Sequence, residues 1–260
     1  MRVLQLLVLL AGLSVLASCG DEQSSGGGDG SGTAAAAKTG KPERTPETIA
    51  AGKEVFKAQC EKCHGPEGKG DGISKGVALP QPADFTQRRF KYVSTENRVP
   101  SENDLFRTVS DGIAGTQMAG FKDTVREPDR WAAVYYLQEL AKFENPPKPY
   151  AVPARPAYGD NEKRQAGRIF LSSCVKCHGV QGQGDGVAAD TLKDGMGNPI
   201  KPRSLADQPF GGGMEPEQVF CRIKLGMNGS PMEPPESYPR VEDKDAWALV
   251  EYVLNLRTKK

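Results

Sequence analysis

Histidine is nearly absent: the 260 residues contain two, against 34 lysines and arginines, 33 aspartates and glutamates, and six cysteines. No third imidazole is available as a general acid or base or as a further metal ligand. A strong charge of either sign is missing too. The formal net charge is +1, which points away from an acidic buffer protein and from a nucleic-acid binder, so no nucleic-acid partner is expected. Long apolar runs are confined to residues 3–16, too few to span a bilayer comfortably. Strand signals are sparse, whereas glycine and proline are plentiful at 30 and 20. Gly- and Pro-rich loops leave little apolar core unless something else fills the centre. The length exceeds what one compact core needs and suits two domains of about 100 residues each plus linkers.

The N-terminus reads Met1-Arg2 and then the apolar run, the positive-then-apolar order of a secretory signal. It ends in Leu16-Ala17-Ser18-Cys19, which resembles the bacterial lipobox, where the signal is cut before a cysteine that becomes lipid-modified. Residues 1–18 thus read as a lipoprotein-type signal peptide. Residues 19–44, rich in Gly, Ser and Ala and without apolar periodicity, read as a flexible tether from lipidated Cys19. A plain signal peptide with a chance cysteine is the alternative. The expectation is an exported chain anchored at the periplasmic face of a bacterial membrane. Gly20 stands where aspartate is associated with inner-membrane retention in some bacteria, and inner and outer membrane both stay open.

What remains is a repeat. Cys60-Glu61-Lys62-Cys63-His64-Gly65 runs on to Gly68-Lys69-Gly70-Asp71-Gly72, and Cys174-Val175-Lys176-Cys177-His178-Gly179 runs on to Gly182-Gln183-Gly184-Asp185-Gly186, matching at a shift of 114. Gly112-Ile113-Ala114-Gly115-Thr116-Gln117-Met118 is echoed by Gly226-Met227-Asn228-Gly229-Ser230-Pro231-Met232 at the same shift. Met118 follows His64 by 54 residues, and Met232 follows His178 by the same 54. Trp131, Val134, Tyr136, Leu137 and Leu140 then line up with Trp247, Val250, Tyr252, Val253 and Leu256. Between the halves, residues 145–160 hold five prolines and read as an extended spacer. The organisation expected is a first domain over 45–144, a Pro-rich linker over 145–160 and a second domain over 161–260.

Each domain is expected to be all-α. Thr45 can cap a helix with Pro46 at its first position, with Ile49, Gly52, Phe56 and Cys60 on one face. Ala166, Phe170 and Cys174 repeat the last three. A small residue four before an aromatic lets another helix come close, and the tryptophan-led segments have the apolar spacing of its partner.

A C-x-x-C-H unit lets two thiols form thioether bonds to porphyrin vinyl groups while the adjacent imidazole binds iron. Cys60, Cys63 and His64, and again Cys174, Cys177 and His178, therefore predict two covalently bound haem c groups, each an apolar body that supplies the missing core. The second axial ligand cannot be histidine. Met118 is the only methionine after Met1 in the first half, and Met232 holds the same repeat position in the second, ahead of Met196, Met214 and Met227. The expected iron ligands are His64 and Met118 for the first haem, and His178 and Met232 for the second. On these motifs each half resembles a class I cytochrome c domain, over residues 46–143 and 161–257, and the whole resembles a bacterial diheme cytochrome c lipoprotein. The resemblance implies low-spin, six-coordinate iron with His and Met ligands and outer-sphere electron transfer. Methionine ligation favours a raised potential.

Other readings weigh less. A zinc site from Cys60, Cys63, Cys174 and Cys177 would need pairs 110 or more residues apart to meet and would leave the methionine motifs idle. A thioredoxin-like dithiol is disfavoured because each C-x-x-C follows a helical pattern. Cys221, where the first repeat has Arg107, reads as a small buried apolar residue, with a reactive thiol or a thiolate ligand in place of Met232 as the alternative. Arg88, Arg89, Arg98 and Arg203 are surface charges or haem-propionate partners, Trp131 and Trp247 packing residues, and Asp71 and Asp185 turn formers. No catalytic residue is expected. The function expected is electron transfer between a redox donor and acceptor, as a carrier or as a subunit of a membrane respiratory or photosynthetic complex. The alternative is a diheme enzyme, a peroxidase or sulfur-compound dehydrogenase, with one labile ligand.

Overall fold

The computed structural model describes residues 40–78, 80–207, 209–232 and 241–258, and the regular elements among them are helices. The signal peptide, Cys19 and most of the tether lie outside the described residues. The first half supplies α1 (Pro46–Gln59), α2 (Glu61–His64), α3 (Glu102–Asp111) and α4 (Glu127–Ala141). The second supplies α5 (Asp160–Ile169), α6 (Val175–His178), α7 (Pro216–Leu225) and α8 (Asp243–Asn255). Two isolated bridges, Thr95 with Pro149 and Lys193 with Pro199, are the only β pairings among the described residues. No helix there is long and apolar enough to cross a membrane.

The helix starts follow local chemistry. Thr45 Oγ1 accepts the Thr48 N–H at 3.2 Å, and Pro46 occupies the first turn of α1. Ser101 and Asp104 form a reciprocal capping box at α3. Prolines open α4 and α7 as well. Repetition extends to the packing: α1 lies on α4 and α5 on α8. At the first crossing a Cβ on Gly52 would stand 1.9 Å from Ala132 O, so only glycine permits that approach. In the second, Ala166 is fully buried with Ala248 and Leu249. Trp131 stacks on Phe106 of α3 at 3.9 Å between centroids, and Trp247 meets Phe220 of α7 at 4.7 Å. Both tryptophans are packing residues.

Local departures from the sequence reading have physical causes. The spacing predicts a plain helix to Cys174, but the chain after α5 widens into a π-turn, Phe170–Cys174, closed by Val175 N–H on Phe170 O. The Pro-rich spacer is extended but docked. Its carbonyls still accept hydrogen bonds although its prolines cannot donate: Glu96 N–H reaches Lys148 O at 2.8 Å, and Trp247 Nε1 reaches Pro153 O at 3.0 Å. Val152 is buried in the core of the second half. Residues 41–44, grouped with the tether by composition, lie against the first half: Tyr135 Oη donates to Pro42 O at 2.8 Å, and Arg44 bonds Gln138 and Glu139.

Candidate haem-attachment sites

Each C-x-x-C-H unit ends a helix pair. Past Gln59 the chain bends at Cys60 (φ −115°) and makes one further turn, α2, which puts His64 at its end. Gly65 and Gly179 follow at φ 74° and 75°, and a Cβ on either would collide with the carboxylate of Asp71 or Asp185 folded against it. The two aspartates are thus turn formers. The loop that follows is built alike in both halves. Gly70 N–H bonds His64 O at 2.9 Å, and Gly184 N–H bonds His178 O at 2.8 Å. Phe85 N–H bonds Gly68 O at 2.7 Å, and Leu205 N–H bonds Gly182 O at 2.6 Å.

These loops return to hold the imidazoles. His64 Nδ1 donates to Ala83 O at 3.1 Å, and His178 Nδ1 donates to Arg203 O at 3.4 Å. A carbonyl that takes the Nδ1 proton fixes the tautomer and leaves Nε2 as the lone-pair donor to a metal. Burial holds both imidazoles below their ordinary pKa, which keeps them neutral as ligation requires. Phe85 stacks on the His64 ring at 4.5 Å, further fixing its plane.

The thiols are free of disulfides. Burial, with Cys63 and Cys177 as neighbours, pushes Cys60 up to about 12 and Cys174 up to about 11. No group of three or more His, Cys, Asp or Glu side chains gathers for a metal ion among the described residues, so the four cysteines do not converge as the zinc reading requires. Gln81 Oε1, two residues before the carbonyl that holds His64, is buried with no hydrogen-bond partner, as at a wall that a cofactor completes. The residues fit two covalently attached haems.

The methionine loops are likewise paired. Ile113 N–H bonds Met118 O at 2.9 Å, and Met227 N–H bonds Met232 O at 2.5 Å. Thr116 Oγ1 accepts the Met118 N–H at 3.1 Å, and Ser230 Oγ accepts the Met232 N–H at 3.3 Å. Met196 is 71% exposed and Met214 is exposed as well, while Met227 closes the loop through its backbone. Cys221 is buried in α7 with Val219, Phe220 and Trp247 and is engaged in a disulfide, so it is neither a free reactive thiol nor a thiolate ligand in place of Met232.

The arginines part company. Arg88 binds Ala141 O and Glu144, and Arg89 is exposed. Arg203 serves through its carbonyl, and Arg98 crosses to the other half. Sequence reasoning missed Ala83, Arg203 and Phe85 as histidine supports. A signal existed: Pro82-Ala83-Asp84-Phe85 and Pro202-Arg203-Ser204-Leu205 share a proline and an apolar residue three later, displaced by 120 because the second loop is six residues longer.

Residues 47–137 match the family described as cytochrome C oxidase, cbb3-type, subunit III, and residues 165–257 match the family described as cytochrome c. No curated protein matches the sequence. Among solved structures, a chain of the reducing HAO-like protein complex of Kuenenia stuttgartiensis is 33% identical, with 79% of this chain and 95% of that chain covered at a TM-score of 0.69. The thiosulfate dehydrogenase of Marichromatium purpuratum, in its as-isolated form, is 15% identical over 85% of this chain and 50% of that chain, at a TM-score of 0.34.

Proposed function

Because the chain belongs to the cytochrome c family, with two such domains in tandem and two covalently bound haem c groups, we propose that it passes single electrons between redox partners through two closed haem sites. His64 and Met118 would ligate the first iron, and His178 and Met232 the second. Haem supplies a one-electron iron couple. The protein's residues hold it by thioethers at Cys60, Cys63, Cys174 and Cys177, keep each imidazole neutral by burial and oriented through Ala83 O or Arg203 O, and carry each methionine on a loop locked by its own hydrogen bonds. One electron arrives from a donor protein and leaves to an acceptor protein, with no substrate bond made or broken.

The observation that carries this reading is the identical internal bonding of the two methionine loops, each 54 residues beyond its histidine. Two sites built alike favour equal, closed ligation. The Kuenenia stuttgartiensis chain belongs to a redox complex, which supports a redox protein as partner, either met by diffusion or held as a neighbouring subunit. The signal-like N-terminus and Cys19 support export and lipid attachment at the periplasmic face of a membrane. The test is to mix the reduced protein with carbon monoxide: closed sites leave both spectra unchanged, whereas rapid stoichiometric binding at either haem overturns the reading. Replacing Cys19→Ser is expected to move the protein from the membrane fraction to the soluble periplasm.

A further inference from the structure

The two methionine loops match internally but differ in what grips them from outside. The first is braced within its own half, by Gln117 Nε2 donating to Val77 O at 2.9 Å. The second is gripped by the other half. Arg98 Nη1 donates to Leu225 O, the last residue of α7, and Arg98 Nη2 donates to Asn228 Oδ1 in the loop itself. Asn228 Nδ2 returns a hydrogen bond to Phe90 O at 2.8 Å. Ala114, with no side-chain donor or acceptor, occupies the position of Asn228 in the first repeat. The contact is therefore specific to the second site.

Two features show that Arg98 is placed for this role. Its backbone sits at φ 61°, a left-handed conformation that costs a non-glycine residue energy. The turn is closed by Thr95 Oγ1 on Val99 O at 2.6 Å and would suit glycine better. The guanidinium also meets the carbonyl end of α7, where the helix dipole favours a cation. The seam continues at Tyr92, whose ring lies where a Cβ on Gly211 or Gly212 would collide. The second loop also takes one bond from its own half, Gly195 N–H to Gly229 O at 3.1 Å.

We propose that Arg98 and Asn228 form a clamp through which the first domain positions the Met232 loop, making Arg98 a positioning residue for the second haem. The inference rests on Met232 being that haem's ligand. The bond from Met232 to iron then depends on docking of the first domain, whereas that from Met118 does not.

The experiment uses the full-length, haem-loaded protein. Arg98→Gly removes the guanidinium while relaxing the turn, so its effect cannot come from backbone strain. Asn228→Ala installs the first repeat's residue, and Arg98→Lys keeps a cation with a different donor geometry. The readouts are the potential of each haem and the weak far-red absorption of methionine-ligated ferric haem, with Met118→Ala and Met232→Ala assigning each signal. Arg98→Gly and Asn228→Ala are expected to lower the second potential and remove the second haem's share of the far-red band on mild warming, with the first haem unmoved and Arg98→Lys between. Both haems unmoved, or both moved together, overturns the clamp. If Met232→Ala leaves the second haem's band intact, the ligand assignment falls and the clamp with it; if that variant abolishes the band while Arg98→Gly does not, the clamp alone falls.

Discussion

The proposed pairing of a methionine thioether with an imidazole makes an iron site closed to exogenous ligands, and each of the four side chains it names can be removed singly. Met118→Ala and Met232→Ala are each expected to lower one potential, leave the other in place, and admit one carbon monoxide per protein; spectroelectrochemistry of the single variants checks this. The histidines set an acid limit. Burial lowers their folded-state pKa below the ordinary 6.5, so the unfolded chain binds more protons in the window below that value. Stability is then full above about 6.5 and is lost as pH falls through that window. Denaturant midpoints of the haem-loaded protein measured against pH are expected to drop on the acid side. At this scale the sequence was most legible. Cysteines and histidines in a fixed five-residue unit advertise their chemistry, and a repeat makes Met232 preferable to three other methionines. Ala83 and Arg203 were missed because a backbone carbonyl carries no side-chain signature of its own, and the proline-led segments that hold them fall six residues out of the repeat register.

Helices here are set by caps and by one tight crossing. Asp104, 4% exposed, accepts from Ser94 N–H at 2.9 Å, Ser94 Oγ at 3.0 Å and Ser101 N–H at 2.9 Å, tying the start of α3 to the preceding loop. Asp104→Ala strands buried donors and is expected to cost about 3 kcal/mol, read as a lowered denaturant midpoint of the haem-loaded protein. Gly52→Ala drives a methyl into the α4 backbone at Ala132 and is expected to cost about 1–3 kcal/mol. Ala166→Gly, at the matching position of α5, creates only a small void and is expected to cost less. Thr45 and Pro46 mark the start of α1 through side-chain and ring chemistry that any reader of the sequence can see, and the apolar spacing after Trp131 and Trp247 marks α4 and α8 in the same way. The π-turn at Phe170 was not legible. Its sequence spacing equals that of Phe56 to Cys60, although Leu171-Ser172-Ser173 replaces Lys57-Ala58-Gln59 and Ser172 Oγ donates to Ile169 O.

At the scale of the molecule, two like units are joined by more than the spacer that connects them. Composition predicted an extended linker over 145–160 but gave no hint that Val152 would enter the core of the second half or that Ser94 O would accept from Tyr150 N–H at 3.1 Å. Such contacts depend on chain reversals between residues more than 50 apart, which local pattern does not encode. Phe90, Tyr92 and Arg98 of the first half lie at the seam with the second, so the two haems are expected to keep one fixed separation. The central claim is that both irons are closed by histidine and methionine. It is tested most directly by a redox titration of the full-length protein, followed optically and by paramagnetic resonance. The account predicts two haems per chain, two one-electron steps and low-spin signals alone in the oxidised state; a high-spin signal from either haem, or fewer than two haems, would contradict it.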